Sequence, residues 1–316
     1  MAVPGLAGYV ERVRSPSRLA RLRAKDAASV RYAIARRVNR LLYPFGFALL
    51  SDHFYQPLPP KAALVGHRQP CRRVEESVDD QAGRVRAMLG AVADELGGDG
   101  LGAFGYPSPM SQLPLVDAAV LYAMVRSEQP ARVVEVGSGC STRVIAAALH
   151  RNAEADGRPS RFVSIDPYVS PVLGTTLDPR VSYEHRKAPL QGVDPDTWTS
   201  LGAGDIVFVD SSHVFKAGSD VEVEFLGIYP VLQRGVLVHL HDVFLPLDYP
   251  LDWNLARSQF WNEQQFLAVM LDNSDRYEVV AGLAAVHDRD PRFFRALLPA
   301  FDCGYSPGSI WLRVAR

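Results

Sequence analysis

The pattern of apolar and polar positions divides the chain into a helical first part and an alternating second part. Apolar residues recur at helical spacing within residues 1–60, within 72–97 and from Leu113 to Gln129. From about residue 131 onward, short apolar runs rich in β-branched residues alternate with helical segments. This alternation predicts an α/β fold with a mostly parallel sheet covered by helices on both faces.

The second part contains seven predicted strands: ARVVEVG, RFVSIDP, RVSYEH, DIVFVD, GVLVHLHD, RYEVVAG and SIWLRVA. Between them the spacing predicts helices, among them DVEVEFLGIYPVLQ and one long helix over residues 256–273, ARSQFWNEQQFLAVMLDN.

Several predicted strands end in residues that carry chemistry. These residues are Glu135, followed by Gly137 and Gly139, then Asp166, Asp210, and the pair His241 and Asp242. Because parallel strands place their carboxyl ends at one edge of a sheet, where ligands bind, we expect these side chains to lie close together.

The turn GSGCST suits a nucleotide-like ligand. Its glycines allow a ligand to approach the main chain without meeting a Cβ, and the third glycine of a dinucleotide fingerprint is replaced by Thr142. A carboxylate at the end of the next strand, Asp166, can accept both hydroxyl protons of a ribose. The alternative is purely local, with Glu135 pairing nearby and Asp166 beginning a turn at Pro167.

Composition excludes several classes. The 316 residues are 47% hydrophobic and 22% charged with a net charge of −1, so no nucleic-acid or membrane partner is expected. The three cysteines form no CxxC pair, which argues against a disulfide framework and favours a cytoplasmic protein. The basic stretch from Arg12 to Arg40 is interpreted as a solvated helix or a contact to an acidic neighbouring subunit, with RNA or lipid as the less favoured alternative.

VVEVGSGCST resembles the first motif of the class I S-adenosylmethionine-dependent methyltransferases, and SIDP resembles their second, acidic motif. VDAAVLYAMVR, DIVFVDSSHV, HLHDVFLPLDYP, FWNEQQFL and the upstream HFYQP resemble a bacterial small-molecule (type 24-like) subgroup. The resemblance implies a Rossmann-like fold with a mostly parallel seven-stranded sheet and an antiparallel late strand. It implies an N-terminal extension over residues 1–70 that is basic and helical and ends in a Pro-rich segment. The catalytic domain is expected over residues 71–316, with its core sheet at about 131–316.

The resemblance also implies the cofactor site. The residues expected to bind S-adenosylmethionine are Glu135, Gly137, Ser138, Gly139 and Ser141 on the methionine side, Asp166 at the ribose, and Asp210.

A second resemblance, to metal-dependent O-methyltransferases, implies that Asp210, His241 and Asp242 hold a divalent cation. His241 departs from that pattern, since imidazole is a poorer ligand for Mg²⁺ than oxygen and a better one for Mn²⁺, Fe²⁺ or Zn²⁺. His213, three residues past Asp210, matches the catalytic base of such enzymes, and Asp210 joins it as a catalytic residue.

The expected function is therefore O-methylation of a small molecule, a sugar or secondary-metabolite hydroxyl. The alternatives are N-methylation, an NAD(P)-dependent oxidoreductase, and a binding protein that retains the fold without turnover. A homo-oligomer is left open. His239 is expected to be a hydrogen-bonded core histidine, and Glu263 a residue of a solvated face or a local pair.

Overall fold

The computed structural model describes residues 18–51, 57–58, 68–96, 101, 106, 113–168, 177–255, 257, 259–299 and 306–316. The chain divides into two compact units, Met1–Val65 and Gly66–Arg316. Residues 53–56 of the HFYQP motif lie outside the described residues.

The described part of the first unit is built on one helix, α1 (Arg18–Leu42), which is followed by a 3-10 turn at Tyr43–Phe45. Gly46 leaves the turn with a φ of 79°, and the side chain of Asn39 then binds the peptide N–H (2.7 Å) and the carbonyl (2.9 Å) of Leu49. No helix in the described part of the chain combines the length and apolar character needed to cross a membrane.

The second unit contains eleven described helices and seven strands. The helices that precede the first strand are α2 (Arg72–Glu75), α3 (Val78–Ala91), α4 (Ala93–Leu96) and α5 (Leu115–Glu128). The elements that follow are β1 (Arg132–Val136), α6 (Cys140–Asp156), β2 (Ser160–Ile165), β3 (Val181–Arg186), α7 (Asp196–Thr199), β4 (Ile206–Val209), α8 (Asp220–Val223), β5 (Leu237–His241), α9 (Leu251–Leu255), α10 (Glu263–Asp272), β6 (Tyr277–Gly282), α11 (Leu283–Arg289), α12 (Phe293–Leu297) and β7 (Ser309–Val314).

The seven strands form one sheet in the order β3-β2-β1-β4-β5-β7-β6. The first five are mutually parallel, and β7 runs antiparallel to both β5 and β6. The predicted fold class is confirmed, including the late antiparallel strand near the sheet edge. Strand order reverses between β1 and β4, which places the ligand crevice of such a sheet at the ends of these strands.

Burial on both faces explains why the central strands are apolar along their whole length. Val133 of β1 faces the core layer formed with α5 and α6, and Val134 and Val136 face the opposite layer. Helix α5 is apolar on nearly every side because it packs between α6 and α3.

Two predicted helices are wrong in extent. The segment predicted as one helix after β4 is α8, a π-helical turn at Glu224–Ile228 and a 3-10 turn at Tyr229–Val231, where Pro230 removes a backbone donor. The helix predicted over 256–273 begins only at Glu263. Residues 259–262 are not helical, because the backbone N–H of Asn262 binds the carbonyl of His213 (3.1 Å) in the segment after β4.

Candidate active site

The glycine turn after β1 lies against the end of β4. The N–H of Gly137 donates to Ile165 of β2, and the N–H of Asp210 donates to Val136, both at 2.9 Å. Gly137 has a φ of 81°, and a Cβ at this position would lie 2.1 Å from the carbonyl oxygen of Asp210. Only glycine allows the two backbones to come this close.

Glu135 is hydrogen-bonded to the residues that follow this turn. Its carboxylate is fully buried and accepts hydrogen bonds from the hydroxyls of Ser141 (2.7 Å) and Thr142 (2.8 Å). Burial raises the pKa of Glu135 to about 8, although both hydroxyls oppose the shift. Glu135 and Ser141 thus fix the first turn of α6, and their predicted contact with the cofactor stays a prediction.

Asp166, at the end of β2, is hydrogen-bonded to Ser138 of the glycine turn. One oxygen of Asp166 accepts from the N–H (3.0 Å) and the hydroxyl (3.1 Å) of Ser138, and the other accepts from the N–H of Tyr168 (2.7 Å). Asp166 is half-buried, at the end of β2 where a ribose would be expected.

Gly139 is the open part of the turn. A Cβ built on it meets no atom within 4 Å among the described residues, and its φ of 177° is available to any residue. Bare backbone beside open space at the start of α6 fits an adenosyl ligand that approaches the main chain.

The other half of the site is a cluster at the adjacent ends of β4 and β5. Nε2 of His213 lies 3.3 Å from Asp210 and 3.7 Å from Asp242, and Nδ1 of His241 lies 3.6 Å and 3.5 Å from the same two carboxylates. One donor atom each from Asp210, His241 and Asp242 lies within 4.8 Å of the others. The structure therefore brings together all four predicted residues.

Two residues of this cluster have left-handed backbone conformations, with a φ of 58° at His213 and 56° at Asp242. Consecutive side chains of a strand point to opposite faces, so His241 and Asp242 could not both approach Asp210 in extended backbone. The reversal at Asp242 resolves this conflict. Such conformations in residues other than glycine are typical of functional sites.

His241 is buried beneath the cluster, and neither of its ring nitrogens has a hydrogen-bond partner among the described residues. Burial alone would lower its pKa, but the charges of Asp242 and Asp210 outweigh burial and raise it to about 9. The carboxylate of Asp117 at the start of α5 adds to this field and accepts a hydrogen bond from Ser309, the residue paired with His241 in β7.

Glu263 is the site residue that the sequence did not reveal. It was expected at a solvated face or in a local pair, but it is fully buried and its carboxylate lies 2.9 Å from Nδ1 of His213. The next residue, Gln264, accepts from the N–H of Phe244 (2.9 Å) and donates to the carbonyl of Leu247 (3.2 Å) in the segment after β5. The motif FWNEQQFL was the only sequence signal that included both residues.

His239 also differs from its prediction. It is a core histidine, but neither ring nitrogen forms a hydrogen bond with a described residue. Its ring stacks on Phe208 at a centroid distance of 4.3 Å, edge-on to Trp311. Burial lowers its pKa well below the usual value, so the ring is neutral.

Aromatic side chains border the cluster. The ring of Trp261 lies 4.3 Å from the ring of His213, 4.9 Å from Trp253 and 5.8 Å from Tyr249. Both tryptophans are half-buried. The imidazole of His213 therefore has carboxylates at both ring nitrogens and the flat apolar ring of Trp261 beside it.

Residues 134–243 match the family model described as a methyltransferase domain. This range contains the glycine turn, Asp166 and the whole cluster at the ends of β4 and β5. Together with the sheet order, the match supports a class I S-adenosylmethionine-dependent methyltransferase, in agreement with the resemblance seen in the motifs.

The solved structures similar to this chain include three methyltransferases. The S-adenosylhomocysteine-bound methyltransferase PaMTH1 of Podospora anserina is 14% identical, with 80% of this chain and 92% of that chain covered and a TM-score of 0.36. The Bacillus cereus O-methyltransferase is 10% identical, with 73% of this chain and 91% of that chain covered and a TM-score of 0.34. The TDP-rhamnose 3'-O-methyltransferase CalS11 of calicheamicin biosynthesis is 13% identical, with 74% of this chain and 93% of that chain covered and a TM-score of 0.38. No curated protein matches the sequence.

The two glycines of the turn should respond differently to alanine. Gly137→Ala should destabilise the protein by more than about 2 kcal/mol in denaturant unfolding, because its Cβ collides with backbone at Asp210. Gly139→Ala should leave stability near that of wild type but weaken S-adenosylmethionine binding at least tenfold in calorimetric titration. Wild-type affinity in a folded Gly139→Ala variant would place the cofactor elsewhere.

Glu135 should make stability depend on pH. Its folded-state pKa of about 8 lies above that of an unfolded glutamate, so wild type loses stability as pH rises through this interval. Glu135→Gln has no such ionisation. The unfolding free energy of the variant minus that of wild type should therefore increase from about pH 5 to about pH 8 and then level off. A constant difference across this range would mean that Glu135 ionises normally in the fold.

Proposed function

We propose that this methyltransferase methylates a hydroxyl oxygen of a small molecule, a sugar or secondary metabolite, with a divalent cation held by Asp210, His241 and Asp242 and with His213 as the base. The observation that carries the proposal is the convergence of these four side chains at the adjacent ends of β4 and β5. They lie across the strand-order switch from the glycine turn and Asp166.

The donor set fits a divalent cation. One donor atom each from Asp210, His241 and Asp242 lies close enough to the others to bind one ion. The ring nitrogens of His241 form no hydrogen bond with a described residue, so they are available as ligands. A mixed nitrogen and oxygen set favours Mn²⁺ or Fe²⁺ over Mg²⁺. A cation held there would lower the pKa of an acceptor hydroxyl and offset the charge of the two carboxylates.

For this reaction the protein must position the acceptor molecule and remove one proton from its hydroxyl group. Bound S-adenosylmethionine supplies a methyl group on a positively charged sulfur. The acceptor oxygen must attack that methyl carbon in line with the breaking carbon–sulfur bond. Nε2 of His213, which faces Asp210 and Asp242, then accepts the hydroxyl proton.

The surroundings of His213 favour proton uptake. Burial alone would lower the pKa of His213, but hydrogen bonds to Asp210 and Glu263 outweigh burial and raise it well above the usual value. Without a bound cation these carboxylates favour the imidazolium. A cation held by Asp210 and Asp242 would offset their charge and leave Nε2 free to accept the hydroxyl proton. Trp261 and Trp253 offer flat apolar surface next to this base, which supports an organic acceptor with a ring.

Asp166 is proposed to bind the ribose hydroxyls. Asp166→Ala should weaken S-adenosylmethionine binding at least tenfold, because a hydrogen bond to a charged acceptor is worth about 1.5–3 kcal/mol. Thr142→Val is the control, since it removes the hydroxyl that binds Gly139 and Glu135 in the turn and keeps Asp166. Calorimetric titration should give a much smaller loss for Thr142→Val. Equal losses would mean that Asp166 acts only by holding the turn.

Loss of the base and loss of the cation ligands should affect methyl transfer and metal binding differently. With labelled S-adenosylmethionine and a panel of catechols and 6-deoxysugars, chelation by EDTA should abolish transfer without changing cofactor affinity, and Mn²⁺ should restore it. Asp210→Asn should resemble chelation. His213→Ala should retain Mn²⁺ binding and slow transfer by roughly 10²–10⁴-fold.

Transfer that is insensitive to EDTA but lost in His213→Ala would remove the cation from the proposal. Wild-type rates in both Asp210→Asn and His213→Ala would overturn it entirely.

A further inference from the structure

We propose that Glu263 is a positioning residue that fixes the direction and the tautomer of the His213 ring. The inference rests on the proposed role of His213 as the base. The carboxylate of Glu263 lies 2.9 Å from Nδ1 of His213, and both side chains are buried, with exposed fractions of 1% and 4%. Water therefore cannot readily replace either partner.

The backbone around His213 is held by the same helix start. The N–H groups of Asn262 (3.1 Å) and Glu263 (3.3 Å) both donate to the carbonyl of His213. The side chain of Asn262 also accepts from the N–H of Phe215 at 2.7 Å. The backbone of His213, whose φ is 58°, is thus held by the start of α10, and the ring and its backbone are anchored to one element.

This anchoring decides which nitrogen faces the acceptor. A carboxylate can only accept a hydrogen bond, so Glu263 holds the proton of the neutral imidazole on Nδ1. The lone pair is then on Nε2, the atom that faces Asp210 and Asp242. The same carboxylate stabilises the ring once Nε2 has taken a proton.

A glutamine at this position would remove the constraint. Its amide has nearly the same shape but can also donate to Nδ1, which moves the proton of the neutral ring to Nε2 and blocks the base. Glu224 offers a matched control. It is a second fully buried carboxyl in the same region, and it forms no hydrogen bond to His213 among the described contacts.

The test compares Glu263→Gln, Glu224→Gln, His213→Ala and the double variant His213→Ala/Glu263→Gln. Transfer is measured with the best acceptor from the panel of catechols and 6-deoxysugars, alongside S-adenosylmethionine affinity and thermal stability. Glu263→Gln should lower kcat by roughly 10²-fold with unchanged cofactor affinity, and Glu224→Gln should stay within about twofold of wild type. The double variant should be no slower than His213→Ala alone, because a positioning residue acts only through the ring that it positions.

A second readout needs no acceptor. Long-range ¹H–¹⁵N spectra of the Mg²⁺-supplemented protein should show His213 protonated at Nδ1 in wild type and in Glu224→Gln, with the proton shifted toward Nε2 in Glu263→Gln. Unchanged spectra in Glu263→Gln, or a double variant far slower than His213→Ala, would overturn the inference and make Glu263 merely structural. Wild-type activity in His213→Ala would instead refute the proposed base, and the spectra would still report whether Glu263 orients the ring.

Discussion

Three consecutive residues at the start of α10 hold the active-site edge of the sheet together. Asn262 binds the backbone of the segment after β4, Glu263 binds the ring of His213, and Gln264 binds the segment after β5. These two segments carry the cluster of carboxylates and imidazoles, and neither has regular structure of its own at that point. Their relative position therefore depends on side chains from a helix that follows both of them in the chain.

The site also places several carboxylates close to one another. Asp210, Asp242 and Glu263 lie around two histidines that have little access to water, where unpaired charges are costly. Without a bound cation the imidazoles compensate the carboxylates, whose charges raise the pKa values of His213 and His241 although both rings are buried. The half of the site at the glycine turn lacks this density of charge and is held by hydroxyl groups, as at Glu135 with Ser141.

Much of this arrangement could be predicted from local sequence. The strands are short, apolar and β-branched, so their existence and the α/β class follow from pattern, and the topology of a parallel sheet then brings Asp210 and Asp242 to one edge. Glu263 could not be predicted, because its contact spans 50 positions and depends on a helix that begins seven residues later than its apolar spacing indicates. The stacking of His239 on Phe208 likewise depends on which strands are neighbours.

The position of β7 affects the order in which the protein can be completed. This strand follows β6 in the chain but lies between β5 and β6, where Ser309 pairs with His241. During synthesis, β5 must leave the ribosome and wait with one edge unpaired until residues 309–314 have emerged as well. The glycine turn and the ends of β1 and β4 are built from earlier segments. A nascent chain can therefore form that crevice while His241 still lies on an open sheet edge, which β7 then closes.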